Sequence, residues 1–173
     1  MLTLIRPAQA ADIPAITAIY AAAVRCGTAS FELEAPDEPE MRRRYESLRA
    51  GDHPYLVAEL EGAIVGYAYA GPYRARPAYR FAVESSVYIA PGSERRGFGR
   101  ALLERLIIAA QENGFRQMIA VIGDSANAAS IELHRAVGFR MVGTFDDVGF
   151  KFDRWLDTVL MQRPLGEGAA SLP

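Results

Sequence analysis

The sequence predicts a single α/β (α+β) domain, a mixed sheet flanked by helices, and three observations carry that expectation. Short apolar runs of strand length alternate with stretches of helical period, the signature of a sheet with covering helices. The 173 residues suit one domain and leave little room for a second. Half of them are hydrophobic, enough for a sizeable core. The domain is expected to span residues 1–165, and the Gly- and Ala-rich tail over residues 166–173 is expected to lack fixed structure.

Taken in order, residues 2–6 read as a first strand. Asp12 is placed as the cap of a helix with Pro14 in its first turn, and Ile13, Ile16, Ile19, Tyr20 and Val24 give its period. Residues 31–39 are acidic and proline-interrupted, hence a loop, and residues 39–49 form a polar helix ending at Gly51. Two apolar runs, 55–60 and 64–70, flank Glu61-Gly62 as a hairpin. Residues 71–77 break the pattern as an exposed loop, and residues 81–89 make a long strand. After a turn over 91–97, a helix over 99–113 carries Leu103, Leu106, Ile107 and Ala110 on one face and stops at Gly114. A strand over 117–122, a helix over 128–137 and two last strands, 141–145 and 155–162, complete the domain.

Composition excludes several classes. The net charge of −2, with signs mixed along the chain, argues against a nucleic-acid or membrane partner. The basic run Arg42-Arg43-Arg44 reads as a solvated helix face. Cys26 is the only cysteine, so no intrachain disulfide forms. His53 and His134 lie far apart without other ligand-type neighbours, so no metal site is expected. No signal-like or membrane-length apolar segment stands out, and the expected location is the cytoplasm.

The chemistry concentrates in residues 85–103. A strand feeds a turn containing Gly97 and Gly99 that opens directly into a helix, with Arg95, Arg96 and Arg100 beside it. Free backbone N–H groups at a helix start, with the positive dipole end behind them, bind anions. The segment lacks the Gly-Lys-Ser/Thr of a nucleotide P-loop and the third glycine of a dinucleotide fingerprint. Taken alone, the glycines fit either a phosphate site or a plain turn before a helix.

The run Arg95-Arg96-Gly97-Phe98-Gly99-Arg100-Ala101-Leu102-Leu103 strongly resembles the pyrophosphate-binding motif of the GNAT acetyltransferases. Asn127 to Phe139, ending in Gly138-Phe139, resembles that family's second coenzyme A segment. Glu94 departs from the usual Gln or Arg of the motif. Within the superfamily, residues 67–79, 83–89, 121–123 and 150–155 are similar to phosphinothricin and methionine sulfoximine acetyltransferases, so the resemblance covers about residues 4–162. It implies the GNAT fold, a sheet splayed open at the cofactor site, together with acetyl-CoA as cosubstrate, a small-molecule amine as acceptor and a homodimer.

Acetyl transfer to an amine needs a base, because the free amine is scarce at neutral pH. Glu84 is the candidate base. It shares one strand face with residues 86 and 88, while 83, 85, 87 and 89 share the other, and the alternative is a strand-end structural glutamate paired with Arg80 or another arginine. For the cofactor, the resemblance implies Val87, Tyr88 and Ile89 through their backbone, the turn Arg95, Arg96, Gly97, Phe98, Gly99 and Arg100, and Asn127 and Ser130. Asn127 doubles as a helix cap. His134 stands where many members of the superfamily place the tyrosine that protonates the departing thiolate. An imidazolium with an ordinary pKa near 6.5 could donate to a thiolate near 8.5, and the alternative is a structural histidine.

Tyr73, Arg74, Arg76, Tyr79 and Arg80 are candidates for gripping substrate oxygens. Phe31 and Glu32, with Lys151 and Trp155, are further pocket candidates by resemblance. Two other readings stay open: an acetyltransferase for protein N-termini or another small amine, and a non-catalytic acyl-CoA-binding regulatory module.

Overall fold

The structure is a computed structural model describing residues 3–173, so Leu2, placed in the first strand by the sequence, lies outside the described residues. Seven strands form one sheet: β1 (Thr3–Pro7), β2 (Tyr55–Leu60), β3 (Ala63–Pro72), β4 (Ala82–Ile89), β5 (Gln117–Gly123), β6 (Arg140–Lys151) and β7 (Arg154–Pro164). Their order is β1-β2-β3-β4-β5-β7-β6, with β4 and β5 parallel and every other pair antiparallel. Helices α1 (Ile13–Cys26), α2 (Glu38–Ala50), α3 (Phe98–Glu112) and α4 (Ala128–Ala136) cover the sheet.

Alternation along the strands divides the core into two layers. Leu102, Leu103 and Leu106 of α3 pack on Val83, Met118, Ala120 and Met161 on one face. Ile13, Ile16 and Val24 of α1, with Met41 of α2, pack on Tyr55, Val57 and Tyr67 on the other. The stripes read from helical period are the buried ones, because apolar residues at three- and four-residue spacing must face a sheet to leave water.

Several local expectations are corrected. Asp12 does not cap α1 with its side chain. It sits at the end of a 3-10 turn, where its carboxylate accepts both Nη groups of Arg6 at 2.8 Å and the Gln9 amide at 2.8 Å. Those bonds hold its carboxyl below the usual range despite burial. Asp37 is the true cap of α2, accepting from the Glu40 amide at 2.9 Å. Strand β3 runs through Gly71 and Pro72, expected as loop, because both pair with β4.

The largest difference is β6, which continues to Lys151 instead of ending near Phe145. The Asp146-Asp147 pair looks like a breaker in sequence. A register shift between Phe145 and Gly149 absorbs it, with Asp147 at φ 54° and its amide bonded to Asp157. The tail, expected without fixed structure, folds into turns closed by Gly168 N–H on Leu165 and by Arg116 on Ser171 and Leu172.

Candidate active site

Strands β4 and β5 stay paired only from Ala82–Ser85 against Gln117–Ala120. Beyond that point both continue, to Ile89 and Gly123, without pairing to each other. The backbone groups of residues 86–89 on that edge and of Val121 to Gly123 therefore flank a gap in mid-sheet. A narrow passage of about 50 Å³ runs through it, lined by Ser85, Ser86, Val87, Tyr88, Val121, Gly123, Asn127, Ser130 and His134 among others.

On the α3–α4 face the passage opens into a cleft of about 480 Å³. Val87, Tyr88, Ile89, Arg95, Gly97, Gly99, Arg100, Asn127 and Ser130, all expected at the cofactor, line it together. Gly97 is left-handed at φ 88°, and no side chain caps the helix it begins. The first intrahelical bond runs from Ala101 to Gly97, so the amides of residues 98–100 have no partner within the helix. With Arg95 also left-handed at φ 57°, consecutive amides form an anion-binding nest. A Cβ on Gly97 would meet nothing within 4 Å, so that position faces open space where a phosphate can approach. These donors fit the diphosphate of a coenzyme A thioester, and Asn127 both caps α4 through the Ser130 amide at 3.2 Å and faces the cleft.

Two expected cofactor residues stand apart. Phe98 is buried in the core layer beneath α3, and Arg96 lies over its ring at 5.2 Å. Only the Phe98 backbone reaches the nest. Arg100 is engaged with Glu104 at 2.8 Å on the helix surface. Glu94, the departure from the family motif, folds back to accept the Gly92 amide at 2.8 Å.

The opposite face holds an acceptor cavity of about 390 Å³, lined by Tyr20, Ser30, Phe31, Glu32, Tyr69, Glu84, Ser86, Tyr88 and Thr158 among others. Glu84, Ser86 and Tyr88 project together into it, as strand alternation requires. Glu84 has no ion pair among the described residues. Arg80, its alternative partner, lies instead over the Phe81 ring at 4.6 Å. Desolvation raises the Glu84 pKa above the usual carboxylate value, and the charge of Arg74 partly opposes that. Burial also pushes the Tyr20 phenol up to about 12 and Tyr88 well above its ordinary value, so both hydroxyls remain donors.

The loop between α1 and α2 forms one cavity wall, held largely by tertiary contacts. Lys151 is 4% exposed and donates to the carbonyls of Gly27 at 2.9 Å and Ser30 at 2.8 Å. Thr28 donates to Asp124, which also accepts from Arg154 at 2.6 Å. The Phe31 ring packs against Gly149 of β6, where any side chain would overlap it.

Of the arginine-rich loop, Tyr73, Arg74, Arg76, Tyr79 and Arg80 contribute no wall to the cavity. Arg74 over the Tyr73 ring acts on Glu84 through its charge, while Arg76 and Arg80 are exposed. Trp155 is 62% exposed on the β6–β7 hairpin and meets Phe150 edge-on at 5.1 Å. Sequence reasoning missed Tyr69, Ser86 and Thr158 and took Tyr20 only as core. Their signal, a polar tip at a strand or helix position that period marks as buried, is common to many structural residues.

His134 lies on the wall of the passage. It is 5% exposed, and burial lowers its pKa, so its neutral form prevails at pH 7. The Ser130 carbonyl 2.8 Å from Nδ1 can only accept, which places the proton on Nδ1. Nε2 is then a lone pair facing Ser85 Oγ at 3.4 Å. In that tautomer Nε2 holds no proton, so donation to a thiolate from that atom requires the imidazolium.

A sheet parted at its centre, with an anion nest on one face and a desolvated carboxylate on the other, defines a protein that brings a phosphate-bearing donor to a second small molecule. Comparison with known proteins gives the family. Residues 5–160 match the acetyltransferase (GNAT) domain, and the chain belongs to that family. It is 56% identical over 162 residues to a phosphinothricin N-acetyltransferase of Alcaligenes faecalis, covering 94% of this chain and 82% of that one. It is 42% identical over 166 residues to an L-methionine sulfoximine/L-methionine sulfone acetyltransferase of Salmonella typhimurium, covering 96% of each. The crystal structure of a phosphinothricin acetyltransferase from Sinorhizobium meliloti in complex with acetyl-CoA superposes with a TM-score of 0.97 at 49% identity, covering 100% of this chain and 94% of that one.

The state of His134 yields a prediction. His134→Ala removes a buried ring that stands edge-on to Phe139 at 4.9 Å, and is expected to destabilise the fold by about 2–4 kcal/mol. Turnover per folded molecule is expected to stay within about threefold of wild type, less than the ~10²-fold minimum usual for losing a general acid. Thermal denaturation and active-site-normalised kinetics read the two effects separately, and a hundredfold loss of turnover would restore the general-acid role.

Proposed function

We propose that this acetyltransferase moves the acetyl group of acetyl-CoA to the α-amine of a small amino-acid-like acceptor, of the phosphinothricin or methionine sulfoximine/sulfone type. One observation carries the reading. A desolvated, unpaired Glu84 stands in a cavity that meets the anion-binding cleft through the gap between β4 and β5. The names and identities of the relatives point to the same acceptor class.

Acetyl-CoA supplies an acetyl group already activated as a thioester. The amides at the start of α3 hold its diphosphate, and the free edge of β4 from Ser86 to Ile89 lies along its path to the gap. Glu84, on the acceptor side, takes a proton from the bound ammonium, and the freed lone pair attacks the thioester carbonyl. The C–N bond forms as the C–S bond breaks, and coenzyme A leaves as a thiolate that takes a proton from water. Its raised pKa makes it a stronger base than an ordinary carboxylate. Tyr88, kept protonated by burial, remains a hydrogen-bond donor where the two cavities meet. Arg74, on the rim, suits the acceptor's anionic groups.

On the same reading the protein is a cytoplasmic homodimer. No helix among the described residues is long and apolar enough to cross a membrane. The β6–β7 hairpin presents Val142, Phe145, Val148, Phe150, Phe152 and Trp155, each more than half exposed. A patch of that kind on a soluble domain favours burial against a second copy. Val142→Glu with Phe145→Glu is expected to convert a dimer to a monomer in analytical ultracentrifugation at micromolar concentration. A wild type that sediments as a monomer overturns the dimer.

The acceptor class is checked by thiol release from acetyl-CoA. Methionine sulfoximine and phosphinothricin are expected to give kcat/KM at least about tenfold above N-terminal peptides. Equal or better efficiency on peptides would move the assignment to protein N-termini.

Glu84→Gln is expected to lower kcat by about 10²–10⁴-fold, with acetyl-CoA affinity unchanged by calorimetry. In wild type, activity needs the ionised carboxylate, so the rate falls as pH drops through the raised Glu84 pKa. Arg74→Ala removes the charge that opposes that rise, and the acid limb of the pH profile is expected to move to higher pH. A limb that stays in place or moves lower counts against Glu84 as the base.

A further inference from the structure

The acceptor cavity carries two carboxylates, Glu32 and Glu84, and none of its lining residues is an arginine or a lysine. Such a wall suits a cationic amine, yet only Glu84 has a task in the reaction above. Glu32 belongs to an irregular loop, where a long side chain would ordinarily sample several rotamers. Here it is fixed. Its Oε1 accepts from the Tyr20 hydroxyl at 2.8 Å and from Arg44 Nη1 at 2.6 Å.

Both donors are themselves held by further contacts. The Tyr20 hydroxyl also meets Ser30 Oγ at 2.9 Å, and its ring stands edge-on to Tyr88 at 5.1 Å. Arg44 Nε is tied to Glu40 Oε1, one turn earlier on α2, at 2.7 Å. Arg42 and Arg43 pair along the helix with Glu38 and Glu40, as a solvated basic face should. Arg44 instead reaches across to the loop. Glu32 Oε2 keeps a single long contact, to Arg44 Nη2 at 3.4 Å, so this oxygen has accepting capacity to spare.

We propose, on the acetyltransferase reading of the site, that Arg44 and Tyr20 are positioning residues. They pin Glu32 so that its Oε2 receives the acceptor's α-ammonium beside Glu84, and thereby set the affinity for the protonated amine. The two carboxylates divide the work. Glu32, pinned by a guanidinium and a phenol, binds the cation. Glu84, desolvated and unpaired, removes its proton.

The Arg44–Glu32 pair has side-chain exposures of 41% and 35%, and pairs so exposed contribute little to folding. Arg44→Gln is therefore expected to keep the wild-type melting temperature. The sign of its effect on binding is diagnostic. Deleting a cation behind a carboxylate makes the cavity more negative, which alone would tighten ammonium binding. Loss of positioning weakens it.

The test measures methionine sulfoximine binding by calorimetry together with steady-state kinetics using acetyl-CoA. Arg44→Gln is expected to raise both Kd and KM for the amine by at least about tenfold, with kcat within about threefold and acetyl-CoA affinity unchanged. Tyr20→Phe is expected to act in the same direction by a smaller factor. Arg44→Lys is expected to recover part of the loss, since an ammonium reaches one oxygen where the guanidinium fork spans two. Adding Arg44→Gln to Glu32→Gln is expected to cost nothing further, because the two act through one group. Unchanged or tighter amine binding in Arg44→Gln, or additive losses in the double variant, would overturn the proposal. Those outcomes leave the acetyltransferase assignment intact if wild type still turns over. A wild type that neither binds nor acetylates any amino-acid-like amine sinks both.

Discussion

The site depends on the failure of two parallel neighbours to stay paired. Strands β4 and β5 share a ladder over four residues and then part. An unpaired main-chain edge in mid-sheet is costly unless something supplies its hydrogen bonds, and a bound substrate arm is one such partner. The other edge of β4 stays paired to β3 along its length, so the strand remains straight while its free side opens. Both cavities meet at this gap. The cleft at the start of α3 and the acceptor cavity under α1 lie on opposite faces, and only the gap lets a group held on one side reach a group held on the other.

Burial then sets the chemistry of the two titratable residues nearest the gap, and the same physics acts on them in opposite senses. Removing water disfavours the charged form of either group. For Glu84 that raises the pKa and makes the carboxylate a better proton acceptor. For His134 it lowers the pKa and strips away the cation that would have been a donor. Residues only fifty positions apart in sequence, on β4 and α4, are thus shifted toward opposite ends of their ordinary ranges.

The acceptor wall shows how a segment with no secondary structure becomes precise. Residues between α1 and α2 make no ladder, yet buried Lys151, the Asp124–Arg154 pair and the close fit of Phe31 on Gly149 hold the loop at three points. Most of those anchors lie on the β6–β7 hairpin, whose outer side carries the exposed aromatic patch. The shape of the acceptor cavity is thereby tied to the placement of that hairpin.

The sequence alone determined the order and type of nearly every element, because apolar period and glycine punctuation are local properties of the chain. It also marked the start of α3 as a candidate anion site, since a helix beginning at glycines without a side-chain cap leaves its amides free wherever it sits. Strand alternation likewise put Glu84, Ser86 and Tyr88 on one face. What it left open depends on residues distant in the chain. The full length of β6 rests on a bulge stabilised by Asp157 of the neighbouring strand. The neutral state of His134 follows from its burial. The separation of Arg44 from its two basic neighbours follows from the position of Glu32, twelve residues earlier on a loop held largely by tertiary contacts. Charge state and side-chain direction are properties of the surroundings, and the surroundings exist only once the sheet has assembled.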